Sequence, residues 1–191
     1  MNTVAFVFTP RALVLAVAVS AGCGGGGGTT GGTTPAGGTA AARQALASIE
    51  AKSGSTLVGT ATFTAEGDNK VKLDIEVTGA PPGEHAVHLH EKGDCSAPDA
   101  MSAGEHWNPT NEAHGKWGSA PFHLGDIGNM KVGDDGRGSL SFTADKWTIG
   151  TGAMDDVVGH SIVIHGQPDD FTTQPAGAAG TRLGCGVVRQ K

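Results

Sequence analysis

Val71-Lys72-Leu73-Asp74-Ile75-Glu76-Val77-Thr78 places an apolar residue at every second position. Strand side chains alternate between faces, so this stretch commits to a β-strand with one dry face and one wet one. It runs into Gly79-Ala80-Pro81-Pro82-Gly83, a turn. Further strands are predicted at 45–52, 56–65, 85–91, 128–132, 138–144, 155–165 and 182–189, with glycine-rich breaks such as Gly133-Asp134-Asp135-Gly136 between them. Only 45–52 also reads as a helix, on propensity. So many short strands with no sustained helical period predict an all-β sandwich or barrel.

The start of the chain does not belong to that fold. Residues 1–23 carry one basic residue, Arg11, then an apolar run from Ala12 to about Val19, then small residues ending at Cys23. This is the layout of a secretory signal, and the run is too short to span a bilayer. Ser20-Ala21-Gly22-Cys23 resembles a bacterial lipobox, in which the cysteine carries lipid and becomes the mature N-terminus. Ser20 stands where that motif favours leucine, so export with cleavage nearby is the alternative. Residues 24–42 are a tether of Gly, Thr and Ala with nothing to bury, reaching about 25 Å as a flexible coil. The folded domain is therefore expected at 43–191, in the cell envelope or periplasm.

Three cysteines in an exported chain leave one over if two pair. With Cys23 taken by lipid, Cys95 and Cys185 remain as a candidate disulfide, the alternative being two buried thiols. The net charge of −6 and the lack of any Lys/Arg-rich run argue against nucleic acid. Membrane contact is expected only through Cys23.

Two stretches break the strand rhythm, about 92–127 and about 166–181, and loops of that length are usually functional. Beside the first lies His85-Ala86-Val87-His88-Leu89-His90, where alternation sends His88 and His90 to one face and His85, Val87 and Leu89 to the other. Two imidazoles on one face suit a metal, although such a pair also reads as a solvated sheet face. The loop supplies more: His106, His114, His123 and Asp126 form a complete donor set for tetrahedral zinc. His88, His90 and His165 form an all-imidazole set, which suits copper.

HAVHLHEKGDCS, GEHWNP, HLGDIGN, GHSIVIHGQPDD and GTRLGCGVV resemble, in that order, the signature blocks of the copper/zinc superoxide dismutase family. The resemblance implies an immunoglobulin-like, Greek-key, flattened eight-stranded β-barrel with two long functional loops. It implies one copper on His88, His90, His106 and His165, and one zinc on His106, His114, His123 and Asp126, with His106 shared. Asp169 resembles the carboxylate that orients a ligand histidine of each metal. His85 resembles a histidine that braces a loop, Arg182 matches the guanidinium beside the copper, and His160 has no implied role.

The activity implied is dismutation of superoxide by copper cycling between two oxidation states, with Arg182 holding the anion and His106 moving a proton. Family members occur as monomers and as homodimers. After His165, Gly166-Gln167-Pro168 lacks the charges that many eukaryotic members carry, and 171–181 is uncharged. Guidance of the anion is therefore expected from Lys92 or Lys116 of the first loop. The rival reading is a relative that only buffers metal, but such relatives usually lack a copper ligand or the arginine.

Overall fold

The computed structural model describes residues 42–67 and 69–191. The export signal, Cys23 and residues 24–41 of the tether lie outside the described residues. The strands are β1 (Gln44–Ala51), β2 (Val58–Ala65), β3 (Val71–Thr78), β4 (Gly83–His90), β5 (Asp126–Val132), β6 (Gly138–Ala144), β7 (Ser161–His165), β8 (Arg182–Val187) and the short β9 (Arg189–Gln190). They run in the order β2-β3-β6-β5-β4-β7-β8-β1, and β1 pairs back onto β2 from Gln44↔Thr64 to Ile49↔Gly59, closing an eight-stranded antiparallel barrel. β9 adds to β1 as a short extension. The chain-consecutive β3 and β4 are separated in space by β6 and β5, which is the crossover of a Greek key.

Period-two patterning explains most of this. In β1 the residues Ala45, Ala47 and Ile49 are buried and those between are not, a row that a helix would scatter around its axis, so 45–52 is a strand. In β3, Val71, Leu73, Ile75 and Val77 enter the core beside Phe63, Leu89, Ile162 and Ile164. Each such side chain stabilises the fold by about 1.5–3 kcal/mol.

Two predicted strands are shorter than expected. The segment 155–165 is extended only from Ser161, because the Asp156 carboxylate accepts the backbone N–H groups of Gly150, Gly152 and Val158 and folds 148–158 into a turn. The segment 182–189 is interrupted at Val188, whose backbone pairs with Gly159 and His160 instead of the ladder. The first long loop contains one 3-10 turn, Met101–Ala103, and ends where Asp126 opens β5. An aromatic group of Trp147, Phe63, Phe142 and Trp117 fills this end of the barrel, and Trp147 Nε1 donates to Leu124 O, which fastens the loop two residues before Asp126.

Candidate metal centre

The β4–β7 ladder, with Val87 opposite Ile164 and His90 opposite Ser161, brings His88, His90 and His165 together. Register shifts fall between Val87 and His88 on β4 and between Ile164 and His165 on β7. Such irregularities re-aim a side chain, here at the point where each strand delivers its first ligand. His106 joins through an isolated bridge to His90. The donor atoms of His88, His90, His106 and His165 all lie within 4.8 Å of one another, as do those of His106, His114, His123 and Asp126. Every one of these seven residues is buried.

The hydrogen bonds show what these groups lack. A neutral imidazole has one N–H and one lone pair. His88 spends its N–H on Asp169 (Nε2 to Oδ2, 2.8 Å), His90 on Gly104 O (Nδ1, 2.9 Å) and His165 on Gly180 O (Nδ1, 3.4 Å). Their other nitrogens point inward, His90 Nε2 and His165 Nε2 facing each other at 3.4 Å while His88 Nδ1 has no partner. On the other side, His114 and His123 spend theirs on Asp169 Oδ1 (2.9 Å) and Glu112 O (3.1 Å). In the neutral rings their Nδ1 atoms are then lone pairs, facing Asp126 Oδ1 from 3.0 and 3.2 Å, a place that either a metal ion or a proton can fill. His114 Nδ1 makes no hydrogen bond despite that distance. His106 alone has both nitrogens in ligand sets, Nδ1 at 2.9 Å from Asp126 Oδ1 and Nε2 buried without a partner.

Lone pairs converging on one another are unfavourable unless a cation sits between them. Zinc bonds of about 2.0–2.2 Å put the corners of a tetrahedron about 3.3–3.6 Å apart, close to the spacing found here. The residues therefore fit two metal ions, an all-nitrogen set and a set with one carboxylate, sharing His106.

The charge states differ between the sets. Burial holds His88 below the ordinary imidazole range, His90 and His165 well below it, and pushes His106 down to about 4. Burial also opposes charge on His114, but the carboxylates of Asp126 and Asp169 outweigh it and raise that ring to about 9. Asp126 is held far below the usual carboxylate range: the three imidazoles and the Gly115 N–H overcome the cost of its burial.

Asp169, on the second loop, links the two sets through His88 and His114. It is held in turn by Asn129, which accepts from Asp169 N (2.7 Å) and donates to Asp169 O (2.9 Å). Gln174 grips the backbone of His114 with both ends of its amide, accepting from His114 N at 2.8 Å and donating to His114 O at 2.9 Å. Gly177 has φ +63°, and a Cβ there would collide with Asp169 Oδ1 and His114 Nε2. Asn129, Gln174 and Gly177 escape a reading of the sequence, because residues that hold a ligand through its backbone carry no spacing signature.

Arg182 opens β8 and its Nη1 donates to Ala100 O at 2.9 Å. The disulfide Cys95–Cys185 is present and closes a separation of 90 residues. With Ala100, Ala103 and Val163 the half-cystine Cys185 forms a small apolar cluster beneath the Met101–Ala103 turn. Arg182, His90, His106 and His165 line a cleft of about 350 Å³, whose rim carries Asp99, Met101 and Glu105. Among the described residues no lysine lines this cleft. Lys92 stands 3.5 Å from Glu91, and Lys116 lies over the Phe171 ring at 5.7 Å.

His85 is buried with its ring between two carbonyl oxygens, His165 O at 2.7 Å and Pro81 O at 2.8 Å, which ties β4 to the end of β7 and to the preceding turn. His160 stacks on Trp107 with ring centroids 4.3 Å apart and belongs to neither ligand set.

Comparison with known proteins agrees with this geometry. The family model described as copper/zinc superoxide dismutase matches residues 57–188. A "Superoxide dismutase [Cu-Zn]" of Caulobacter vibrioides is 38% identical over 143 residues, which cover 72% of this chain and 82% of that protein. Among solved structures, the crystal structure of the clock protein EA4 matches with a TM-score of 0.69 and 32% identity, covering 80% of this chain and 97% of that one. A barrel that delivers two joined ligand sets, matched along the whole stretch that builds them, places the chain in the copper/zinc superoxide dismutase family, whose members use both metals.

Proposed function

We propose that this superoxide dismutase holds copper on His88, His90, His106 and His165 and zinc on His106, His114, His123 and Asp126, and that it meets superoxide outside the cytoplasm. The observation that carries the assignment is the set of inward lone pairs, each with its outward N–H already committed to a carbonyl or carboxylate. Four nitrogens suit a redox metal of the copper type, and three nitrogens with a carboxylate suit zinc. When bound, copper supplies one-electron exchange with superoxide and zinc supplies fixed positive charge. Overall, two superoxide ions and two protons become dioxygen and hydrogen peroxide.

The chain's own residues do the rest. Arg182 lines the cleft beside His90, His106 and His165 and binds the anion by charge and hydrogen bond, with Nη1 on Ala100 O fixing its plane. His106 holds or releases a proton at Nε2, the atom with no protein partner, while Nδ1 stays on the Asp126 side. Asp169 keeps the His88 and His114 rings in register, so that neither tilts when the proton on His106 comes and goes.

The signal-like 1–23, the lipobox-like Cys23 and the Cys95–Cys185 disulfide together support an exported, membrane-tethered enzyme that protects the cell envelope. X-ray absorption at the two metal edges tests the site assignment. We expect copper surrounded by imidazole nitrogens only and zinc by three nitrogens and one oxygen, and the reverse pattern would overturn it. Cell fractionation tests the location: the protein is expected in the membrane fraction outside the cytoplasm, and Cys23→Ser should release it. Recovery in the cytosol would contradict export.

A further inference from the structure

The cleft that reaches the copper set has two acidic residues at its rim, the wrong charge for drawing in an anion. Asp99 and Glu105 stand on its rim, close enough to act on the charge of Arg182. Between them stands Met101, 57% exposed. Leu46, Val58 and Met154 are the other large exposed apolar side chains among the described residues, and each lies at a different hollow. An exposed thioether here fills no core.

The turn that carries it is anchored. The turn Met101–Ala103 is held by Ala100 O accepting from Arg182 and by Gly104 O accepting from His90 Nδ1, so the residues on either side of it anchor the arginine and a copper-set imidazole. Asp99 Oδ1 accepts from Met101 N at 3.0 Å. Behind the turn, Lys92 N and Glu91 N pair with Ala103 O and Glu105 O. A soft sulfur donor thus extends from an anchored turn at the mouth of a pocket lined by the inward Nε2 atoms of His90 and His165, beside the unpartnered, buried Nε2 of His106.

Thioethers select Cu(I), and carboxylates raise the local concentration of any cation. We infer that Met101 is the first protein ligand of incoming copper, taking Cu(I) at the rim and passing it to His90 and His165. The inference rests on the assignment of that set to copper. The transfer is ligand exchange. A copper–sulfur bond forms as a bond to the donor complex breaks, then copper–nitrogen bonds form as the copper–sulfur bond breaks. Copper stays Cu(I) throughout, and Nε2 of His90 and of His165 carries no proton to displace, because each ring's N–H is on Nδ1. The rim carboxylates then have a purpose that anion guidance does not give them.

The test is stopped-flow transfer of Cu(I) from its bicinchoninate complex to the zinc-loaded full chain, comparing the unaltered protein with Met101→Leu. We expect the variant to take up copper at least about fivefold more slowly, with zinc content and melting temperature unchanged as controls for folding. In selenomethionine-labelled protein with His165→Ala, selenium-edge absorption should show a copper neighbour that Met101→Leu removes. Equal uptake rates in the two proteins, or no selenium–copper contact, would overturn the role of Met101 and leave the copper site standing. No uptake by either protein would overturn both.

Discussion

The two ligand sets share His106 yet answer the absence of metal in opposite ways. Around Asp126 a proton can stand in for the ion: His114 is raised to about 9, and an imidazolium beside a carboxylate is a satisfied pair. Around His90 and His165 no carboxylate touches the inward nitrogens, burial keeps protons off, and lone pairs face lone pairs. The Asp126 set is therefore knit into the fold by its own ion pair and by Asp169 and Gln174. The all-nitrogen set opens onto a cleft, whereas the Asp126 side lies under a loop that Asp169 and Gln174 hold.

The largest test of that contrast is His106→Ala. Both sets lose a corner, so copper and zinc content should fall together and superoxide consumption should drop by more than about 100-fold. His165→Ala should give the same loss of activity with zinc retained. Loss of zinc in His165→Ala would show that the sets are not separable. Asp169→Asn comes next: its carboxylate orients one ring of each set, so affinity for both metals should weaken by about 10–100-fold in competition with chelators.

Cys185→Ser probes the copper side from behind. We expect about 2–5 kcal/mol of lost stability in denaturant melts, while zinc occupancy holds.

Acid separates the two sets in the metal-free protein. His106 has a folded-state value of about 4, below its ordinary one, and burial lowers His88, His90 and His165 in the same direction. Their contribution is fully present above about 6.5 and drains away as pH falls toward 4, because the unfolded chain takes the protons first. His114 has the opposite sign. Its contribution is complete below about 6.5 and is lost as pH rises through about 9. The metal-free melting temperature should therefore decline on both flanks, and filling the copper set should raise it without flattening the acid flank, because bound metal also keeps protons off the folded-state histidines. A metal-free protein whose stability is constant from pH 7 to pH 4 would contradict the buried-lone-pair picture. The smallest effect belongs to Gln174→Ala, where two part-buried hydrogen bonds of about 1 kcal/mol each are lost and zinc should dissociate several-fold faster with copper binding little changed.

The barrel was legible because its rows obey a period of two: β3 and β6 coincide with the predicted 71–78 and 138–144, and β1 alternates too cleanly to be a helix. The limits of 155–165 and 182–189 were not, since a buried carboxylate on Asp156 and a single residue, Val188, broke runs whose side chains look continuous. Ligand histidines showed in the sequence because metals need particular donors at particular steps. Gln174 and Asn129 did not show, because an amide gripping a backbone can come from any residue that reaches it.

The most direct test of the central claim is metal content by mass spectrometry on the purified full chain, paired with superoxide consumption before and after copper is added. We expect about one copper and one zinc per chain, with activity that appears only once copper is present. A protein that keeps zinc, takes up copper and still does not consume superoxide would contradict the account.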